Sequence, residues 1–420
     1  MNTALPAHGR RERTRTGSGS RRFDGGEQLA VRLFRGGVHP PDRKAATASA
    51  PVARAPLPER IVLPMSQHLG APCQPLVAKG DRVRRGQMVG SVDAMISAPV
   101  HSPVAGEVVD VALALTPGGL RAMSVTIAPD ADQDYATFDA VDAPRDDVRA
   151  TVRAAGIVGL GGAAFPSAVK LAPPKQFTID TVILNGCECE PYLTCDHRLM
   201  LEKAEAVIAG AELIASAVGA TRTVIAVEDN KPDAVDALRA QLNGAEVEVV
   251  PVRTRYPQGA EKQLIFAVTG RSVPRGQLPA AAGCLVHNVG TAVAVADAVE
   301  RRMPLMERIV TVSGAVAHPG NYLTLIGTPM SVLVDAAGGL TDPDARLVAG
   351  GPMTGQALST LDVPVVKGTS GIVAVPASDA APCVDGDQPC IRCARCVDAC
   401  PISLHPYQIA SYADRGMWDG

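Results

Sequence analysis

The sequence contains few aromatic residues, and this scarcity narrows the classes of function open to it. Phe, Trp and Tyr make up 3% of the 420 residues, with a single Trp. Proteins that bind single-stranded nucleic acid combine aromatic side chains with a basic groove, whereas the formal net charge here is -3. We therefore expect no nucleic-acid binding.

Long apolar runs are also missing. Although 46% of the residues are hydrophobic, no run approaches the roughly eighteen apolar residues that a membrane-spanning helix needs. The N-terminus lacks the apolar stretch of a signal peptide. The sequence predicts a soluble, cytoplasmic protein that reaches a membrane only through partners.

The length and the local patterns predict a multidomain α/β protein. Residues 1–30 are rich in arginine and poor in apolar side chains, so we expect a basic, disordered tail. Residues 31–130 contain short apolar pieces broken by turns, which is typical of a compact β domain. This stretch resembles the barrel-sandwich hybrid fold of biotinyl and lipoyl carriers. Those carriers present a lysine on a hairpin for modification. The matching hairpin here, SVDAMI at residues 91–96, has no lysine, so we predict a structural or docking domain that carries no lipoate or biotin.

Alternating strand and helix patterns follow. Between residues 145 and 300 they predict βαβ units with a parallel sheet, and hence a Rossmann-like α/β domain. Residues 305–376 predict a small mixed or β-grasp-like module. Residues 380–420 combine a cysteine-rich run with an amphipathic pattern, which predicts a helical, ferredoxin-type segment.

Four of the ten cysteines lie within eleven residues near the end of the sequence. Cys390, Cys393, Cys396 and Cys400, followed by Pro401, match the C-x2-C-x2-C-x3-C-P run of bacterial ferredoxins at every position. A zinc knuckle would show two separated CxxC pairs or histidines. The spacing therefore predicts ligands of a 4Fe-4S cluster.

The cluster motif leaves one question open. In two-cluster ferredoxins the fourth cysteine of one run binds the other cluster, and no second run follows here. Either a two-cluster module is truncated, or Cys400 closes a single cluster, or Cys383 supplies a distant ligand. We favour truncation, with one cluster on the four cysteines as the minimal site and a second in a longer form.

A glycine-rich stretch, GIVGLGGAAFPSAVKL at residues 156–171, precedes a predicted helix. Gly159, Gly161 and Gly162 would let the backbone approach a phosphate or a flat ring, and the helix N-terminus offers N–H donors to an anion. The alternative is a turn needed only for packing, because the spacing differs from the usual dinucleotide fingerprint.

The segment LNGCECEPYLTCDHR, residues 184–198, follows a predicted strand. Ligands of doubly wound sheets bind at the carboxyl ends of strands, so Asn185, Glu188 and Glu190 are placed for hydrogen bonds to ribose or nicotinamide. Three further cysteines have irregular spacing, which predicts buried thiols rather than a metal site: Cys187, Cys189 and Cys195.

From LFRGGVHPP at residue 33 onward, the sequence resembles the RnfC family, the NADH-oxidising subunit of the Rnf ion-translocating electron transport complex. Its middle also resembles the flavin-bearing, NADH-binding subunit of respiratory complex I. GLGGAAFP parallels the glycine-rich flavin and nucleotide loop of that subunit, with Ala164 where glycine is usual. NGCECEP parallels its acidic loop beneath the isoalloxazine and nicotinamide, with Cys187 where complex I often has Asp.

Further blocks carry the same resemblance. RYPQGAEKQLI is similar to the nucleotide-contact segment, HNVGTAVAVADAV to the flavin-phosphate segment, and SGAVAHPGNY to an SLBB module. The lysine that faces the FMN phosphate corresponds to Lys170. The resemblance implies eleven cofactor-binding residues: Gly159, Gly161, Gly162, Lys170, Asn185, Glu188, Glu190, Tyr256, Glu261, Asn288 and Thr291.

The resemblance implies an enzyme, an NADH-dependent flavin and iron-sulfur oxidoreductase. NADH would pass a hydride to non-covalent FMN, and single electrons would continue to the 4Fe-4S cluster and on toward or from ferredoxin, with no side chain needed as a base. The implied partners are the membrane subunits of an Rnf-type complex and a ferredoxin-type iron-sulfur subunit. The implied location is the cytoplasmic face of the inner membrane.

Two other functions remain open at this point. One is a soluble flavin and iron-sulfur cobalamin reductase of the microcompartment type, which genomic neighbours would distinguish from an Rnf subunit. The other is a scaffold whose nucleotide site has decayed. Only the changes at Ala164 and Cys187 hint at such decay.

Overall fold

The computed structural model describes residues 33–144, 146–162, 164–379 and 390–418. The predicted basic tail at residues 1–30 and Cys383 lie outside the described residues. Among the described residues, no helix is both long enough and apolar enough to cross a bilayer.

The N-terminal module is built from two small sheets of short strands. Strands β2, β8, β7 and β4 form one antiparallel sheet, and β3, β5 and β6 form the other. Ile61, Leu63, Val125 and Ile127 are fully buried in this module. The elements, which begin with a short helix, are α1 (Ala45–Ala48), β1 (Ala53–Arg54), β2 (Ile61–Pro64), β3 (Gln74–Pro75), β4 (Arg82–Val83), β5 (Met88–Ser91), β6 (Val100–His101), β7 (Gly106–Leu115) and β8 (Arg121–Pro129).

The central module is a parallel sheet with the strand order β11-β10-β9-β12. Six of the seven residues of β10 are buried, as expected for a parallel strand that is covered on both faces. The elements are α2 (Val148–Ala154), α3 (Ser167–Lys170), β9 (Thr181–Gly186), α4 (Cys195–Glu202), α5 (Ala204–Val218), β10 (Arg222–Glu228), α6 (Pro232–Ala240), β11 (Val247–Val252), α7 (Glu261–Thr269), a 3-10 helix (Pro279–Ala282), β12 (Cys284–Asn288) and α8 (Val289–Glu300).

The strand order of this sheet determines where a ligand can bind. From β9 the chain proceeds outward through β10 to β11 and then returns to place β12 on the other side of β9. Connections on the two sides of β9 therefore lead away from each other, which opens a crevice at the carboxyl ends of β9 and β12.

The third module contains a six-stranded mixed sheet in the order β1-β14-β13-β17-β15-β16. Strand β1, although early in the chain, pairs with β14 through Ala53 opposite Tyr322. The elements are β13 (Glu307–Gly314), β14 (Gly320–Leu325), α9 (Met330–Ala336), β15 (Arg346–Ala349), β16 (Gln356–Ala357) and β17 (Gly371–Val375).

The cysteine-rich segment carries two short helices, α10 (Arg395–Ala399) and α11 (Pro406–Asp414). The predicted multidomain α/β class is confirmed by this architecture. The domain limits 31–130, 145–300, 305–376 and 380–420 stay predictions.

Candidate active site

A cleft of about 670 Å³ opens at the crevice beside β9 and β12. Residues of the central module line one side. The loop between β15 and β16, together with residues 366–370, lines the other side, and Pro117 of the β7–β8 hairpin reaches its edge. The volume is in the range of pockets that enclose a cofactor-sized ligand.

The glycine-rich loop lies at the cleft surface. A Cβ at Gly161 would lie 2.5 Å from Asn288 Nδ2, whereas one at Gly162 would meet nothing within 4 Å. Ala164 adopts a left-handed φ of 52°. Glycine adopts this conformation without strain, which agrees with the glycine that is usual at this position. The loop therefore presents bare backbone to the cleft at Gly162.

Two neighbours hold the glycine-rich loop in place behind the cleft. Leu160 donates its backbone N–H to Thr291 Oγ1 at 2.9 Å, and Gly159 donates to the Phe165 carbonyl at 2.9 Å. The buried Arg308 guanidinium donates to the Leu160 carbonyl at 3.2 Å. Thr291 and Arg308 thus support the loop from outside, and neither they nor Gly159 line the cleft.

Helix α8 begins beside this loop, and its cap residue Asn288 lies against Gly161 and lines the cleft. Asn288 caps it, because its Oδ1 accepts from the Gly290 N–H at 2.8 Å. The Asn288 amide nitrogen donates to Asp196 Oδ2 at 2.6 Å. The first N–H groups of a helix lack partners within the helix and attract anions. A backbone loop beside the N-terminus of a twelve-residue helix fits the phosphate end of a flavin.

Glu188 uses its carboxylate to cap helix α4. Its two oxygens accept the N–H groups of Asp196 at 2.7 Å and His197 at 3.2 Å. Its side chain is only 3% exposed. The Lys44 ammonium donates at 2.6 Å to the carbonyls of Glu188 and Leu193. Glu188 therefore borders the cleft mainly with its backbone atoms.

Glu190 joins the central module to the third module across the cleft. Its Oε2 accepts the Met353 N–H at 2.9 Å, and its Oε1 accepts the Thr354 hydroxyl in a short hydrogen bond. Burial, together with the nearby Glu190 charge, raises the pKa of Tyr256 to about 12. This carboxylate thus fixes the loop between β15 and β16 over the mouth of the cleft.

Asp196 is a cleft residue that sequence reasoning did not identify. Burial, reinforced by the Glu188 carboxylate, raises the pKa of the Asp196 carboxyl to about 7. Asp196 follows Cys195 at the start of α4, and no motif marks it in the sequence. Its position becomes evident only when α4 packs beside Asn288 of β12.

The structure brings seven of the eleven predicted residues to the cleft and places four behind it. Asn185 donates to the Gly259 carbonyl at 2.8 Å, which fixes the floor. Lys170 is held by Glu261 Oε1 at 2.5 Å and by the Val286 carbonyl at 2.6 Å. The residues behind the lining are Gly159, Lys170, Glu261 and Thr291; those in it are Gly161, Gly162, Asn185, Glu188, Glu190, Tyr256 and Asn288.

The thiols near the cleft are protonated at neutral pH. Cys187 and Cys195 are buried, and burial raises the pKa of both thiols. Burial also raises the pKa of Cys189 to about 11. Metals bind the thiolate form, so burial weakens the tendency of these thiols to bind a metal. The Cys195 sulfur lies within 4.8 Å of carboxylate oxygens of Glu188 and Asp196.

The ferredoxin-type loop presents its cysteines differently. Cys390, Cys393 and Cys396 are exposed and Cys400 is half-buried. Left-handed φ angles at residues 392 and 394 curl the loop. Backbone N–H groups of Arg392 and Leu404 donate to the sulfurs of Cys390 at 3.4 Å and Cys400 at 3.2 Å. Hydrogen bonds of this kind stabilise cluster thiolates, so the loop fits a 4Fe-4S cluster.

Comparison with protein families matches three segments of the chain. The family model described as the RnfC barrel sandwich hybrid domain matches residues 32–132. The Nuo51 FMN-binding domain matches residues 152–297, and the SLBB domain matches residues 309–357. The three modules of the fold thus each correspond to a known domain.

Curated relatives match nearly the whole chain, and each is a component of an ion-translocating oxidoreductase complex. The component of the Na(+)-translocating ferredoxin:NAD(+) oxidoreductase complex of Acetobacterium woodii is 46% identical over 395 residues, which is 92% of this chain and 88% of that protein. Its proton-translocating counterpart in Clostridium ljungdahlii is 42% identical over 397 residues, which is 92% of this chain and 86% of that protein. The relative from the ion-translocating oxidoreductase complex of Rhodobacter capsulatus is 41% identical over 398 residues, with coverages of 92% and 76%. The chain therefore belongs to the RnfC family of ion-translocating ferredoxin:NAD(+) oxidoreductase complexes.

Proposed function

We propose that this protein is the electron-input subunit of an Rnf-type complex, an NADH-dependent oxidoreductase. NADH and FMN share the cleft, and electrons leave singly for a 4Fe-4S cluster and ferredoxin. The observation that carries this proposal is the cleft at the carboxyl ends of β9 and β12, which is lined by the bare backbone of Gly162 and by Asn288, the cap of α8.

The side chains and backbone of the cleft bind and position the two cofactors. The N–H groups at the start of α8 hold the FMN phosphate, with Asn288 fixing the first turn. The glycine-rich loop lets the flavin lie against its backbone. Asn185 holds the Gly259 backbone, and Glu190 holds the loop between β15 and β16 across the entrance.

FMN held by the glycine-rich loop and the start of α8 would supply the redox chemistry, namely acceptance of a hydride from NADH and release of its two electrons one at a time. The protein contributes close placement of the two rings and exclusion of water, and neither task needs an acid or a base. The buried, protonated thiols of Cys187 and Cys195 suit this purpose, since they add no charge at this edge of the sheet.

The four cysteines of the ferredoxin-type loop hold the cluster that takes single electrons. The relatives are named as parts of ion-translocating complexes. We infer that the partners of this chain are the membrane subunits of such a complex and a ferredoxin-type iron-sulfur protein. The chain associates with the membrane through these partners, at the cytoplasmic face of the inner membrane.

The proposal is tested by anaerobic mixing of the FMN-loaded protein with NADH, with NADPH as the comparison. We expect rapid loss of flavin absorbance with NADH, at a rate that saturates with NADH concentration. Protein that binds FMN tightly but keeps its flavin oxidised in excess NADH would refute the assignment of NADH as donor. Protein that fails to bind FMN would refute the cleft as the flavin site.

A further inference from the structure

Residues 34–39, here called the bridging segment, connect the cleft with the cysteine-rich segment. On one side Val38 pairs with Tyr256, whose carbonyl accepts the Val38 N–H at 2.8 Å and whose N–H donates to the Val38 carbonyl at 2.9 Å. On the other side the Gly37 N–H donates to the Ala399 carbonyl at 2.7 Å. Tyr256 lines the cleft, and Ala399 precedes the cluster ligand Cys400.

Two glycines make this close contact possible. Gly36 has a left-handed φ of 77°, and a Cβ there would lie 2.6 Å from the Ala399 oxygen and 3.1 Å from the Cys400 carbonyl carbon. Gly37 has a φ of 83°, and a Cβ there would lie 2.5 Å from Arg255 Cδ. A side chain at position 36 would clash with Ala399 on the cluster side, and one at position 37 would clash with Arg255 on the cleft side. Both positions therefore need glycine.

Arg255 fixes the bridging segment from the cleft side. Its guanidinium donates to the carbonyls of Phe34 at 2.9 Å and Gly36 at 2.8 Å, and it lies 5.2 Å from the centre of the Phe34 ring. Phe34 is buried. Because Arg255 directly precedes Tyr256, the same turn that borders the cleft also holds the segment that touches the cluster helix.

We propose that the bridging segment is the electron path between the cleft and the cluster, with Gly36 and Arg255 as its positioning residues. This inference rests on the proposed function. The segment supplies a continuous path of covalent bonds and two short hydrogen bonds from Tyr256 through Val38 and Gly37 to Ala399 and Cys400.

The electrons given up and taken up along this path balance. NADH would give up a hydride, which carries two electrons and one proton, to FMN, and FMN would release the two electrons singly. The electrons cross the bridging segment one at a time, and each reduces the cluster by one electron before an iron-sulfur protein of the ferredoxin type oxidises it. The proton leaves the cleft to water.

Gly36→Ala tests the path, with Gly276→Ala as its matched control. Gly276 has a similar φ of 74°, is exposed, and a Cβ there would meet nothing within 4 Å. In the apoprotein, hydrogen exchange of the peptide that contains Gly37 should become faster in Gly36→Ala and stay unchanged in Gly276→Ala. This readout needs neither cofactor.

In protein loaded with FMN and cluster, flavin bleaching by NADH should keep its rate in Gly36→Ala. Cluster reduction, monitored by rapid freezing and electron paramagnetic resonance, should slow several-fold, because relief of the contact with Ala399 displaces α10 from the bridging segment. Gly276→Ala should leave both rates unchanged.

Arg255→Gln gives an independent test if Gly36→Ala assembles no cluster. It loosens the same segment from the cleft side, and it should slow cluster reduction while Arg255→Lys retains part of the rate. Equal cluster-reduction rates in Gly36→Ala, or in Arg255→Gln, and wild type would overturn this inference and leave the NADH and FMN assignment standing. Wild-type protein whose flavin is not bleached would instead overturn the proposed function.

Discussion

Adjacent glycines at the cleft allow the effects of steric strain and ligand exclusion to be separated. A Cβ at Gly161 would lie 2.5 Å from Asn288 Nδ2 and 2.8 Å from Asn288 Cγ, so the loop or the side chain must move by about 1 Å to reach normal contact. Asn288 resists this movement because it holds hydrogen bonds with Gly290 and Asp196. Gly161→Ala should therefore lower the free energy of unfolding by about 1–3 kcal/mol.

Gly162→Ala should behave differently. A Cβ at Gly162 would enter open space of the cleft and meet no protein atom within 4 Å. The free energy of unfolding of the apoprotein should therefore stay within about 0.5 kcal/mol of the wild-type value. The same methyl group would occupy space that the flavin needs, so the dissociation constant for FMN should rise at least about tenfold, or about 1.4 kcal/mol.

The assays are urea unfolding of the apoprotein and titration of FMN by fluorescence quenching. The two variants should show opposite profiles, with stability lost in Gly161→Ala and affinity lost without destabilisation in Gly162→Ala. If Gly162→Ala binds FMN as tightly as wild type, the flavin does not lie against this loop, and the reasoning from the bare backbone is wrong.

Three further changes address other parts of the site. Thr354→Val should lower the free energy of unfolding by about 1 kcal/mol and raise KM for NADH, since it removes a hydrogen bond to Glu190. An unchanged KM in steady-state kinetics and an unchanged free energy in urea unfolding would contradict the role of this hydrogen bond. Asp196 has a folded pKa raised to about 7 from 3.8, so its stabilising contribution is present at low pH and is lost as pH rises from about 4 to 7. Asp196→Asn should remove this slope, of up to about 1.4 kcal/mol per pH unit, from urea unfolding measured across that pH range; an unchanged slope would show that Asp196 titrates normally. Cys393→Ser should lower the iron content of reconstituted protein and remove its cluster signal while FMN binding persists; full iron retention would exclude Cys393 as a ligand.

Local patterns in the sequence were sufficient to predict the modules. The alternation of apolar strands and amphipathic helices predicted the parallel sheet, and the rule for strand ends placed Asn185 and Glu190 at the cleft. The spacing of Cys390, Cys393, Cys396 and Cys400 predicted the ligands of a 4Fe-4S cluster. Each of these signals lies within a short stretch of chain, so it is readable without knowledge of packing.

The remaining features of the site depend on contacts between distant parts of the chain. Glu190 and Thr354 are 164 positions apart, and the second wall of the cleft comes from the third module. Glu188 caps α4 in the structure, although its position after β9 suggested a hydrogen bond to ribose or nicotinamide. Asp196 gains its raised pKa only from this packing. Sequence patterns carry no record of such pairings.

The central claim is that electrons pass from NADH through the cleft to the cluster. The most direct test is an anaerobic titration of the reconstituted, FMN-loaded protein with NADH, followed in one sample by flavin absorbance and by electron paramagnetic resonance of the cluster. We expect flavin bleaching to be accompanied by the signal of a reduced cluster. A cluster that stays oxidised while the flavin is fully bleached, yet is reduced by dithionite, would contradict the claim.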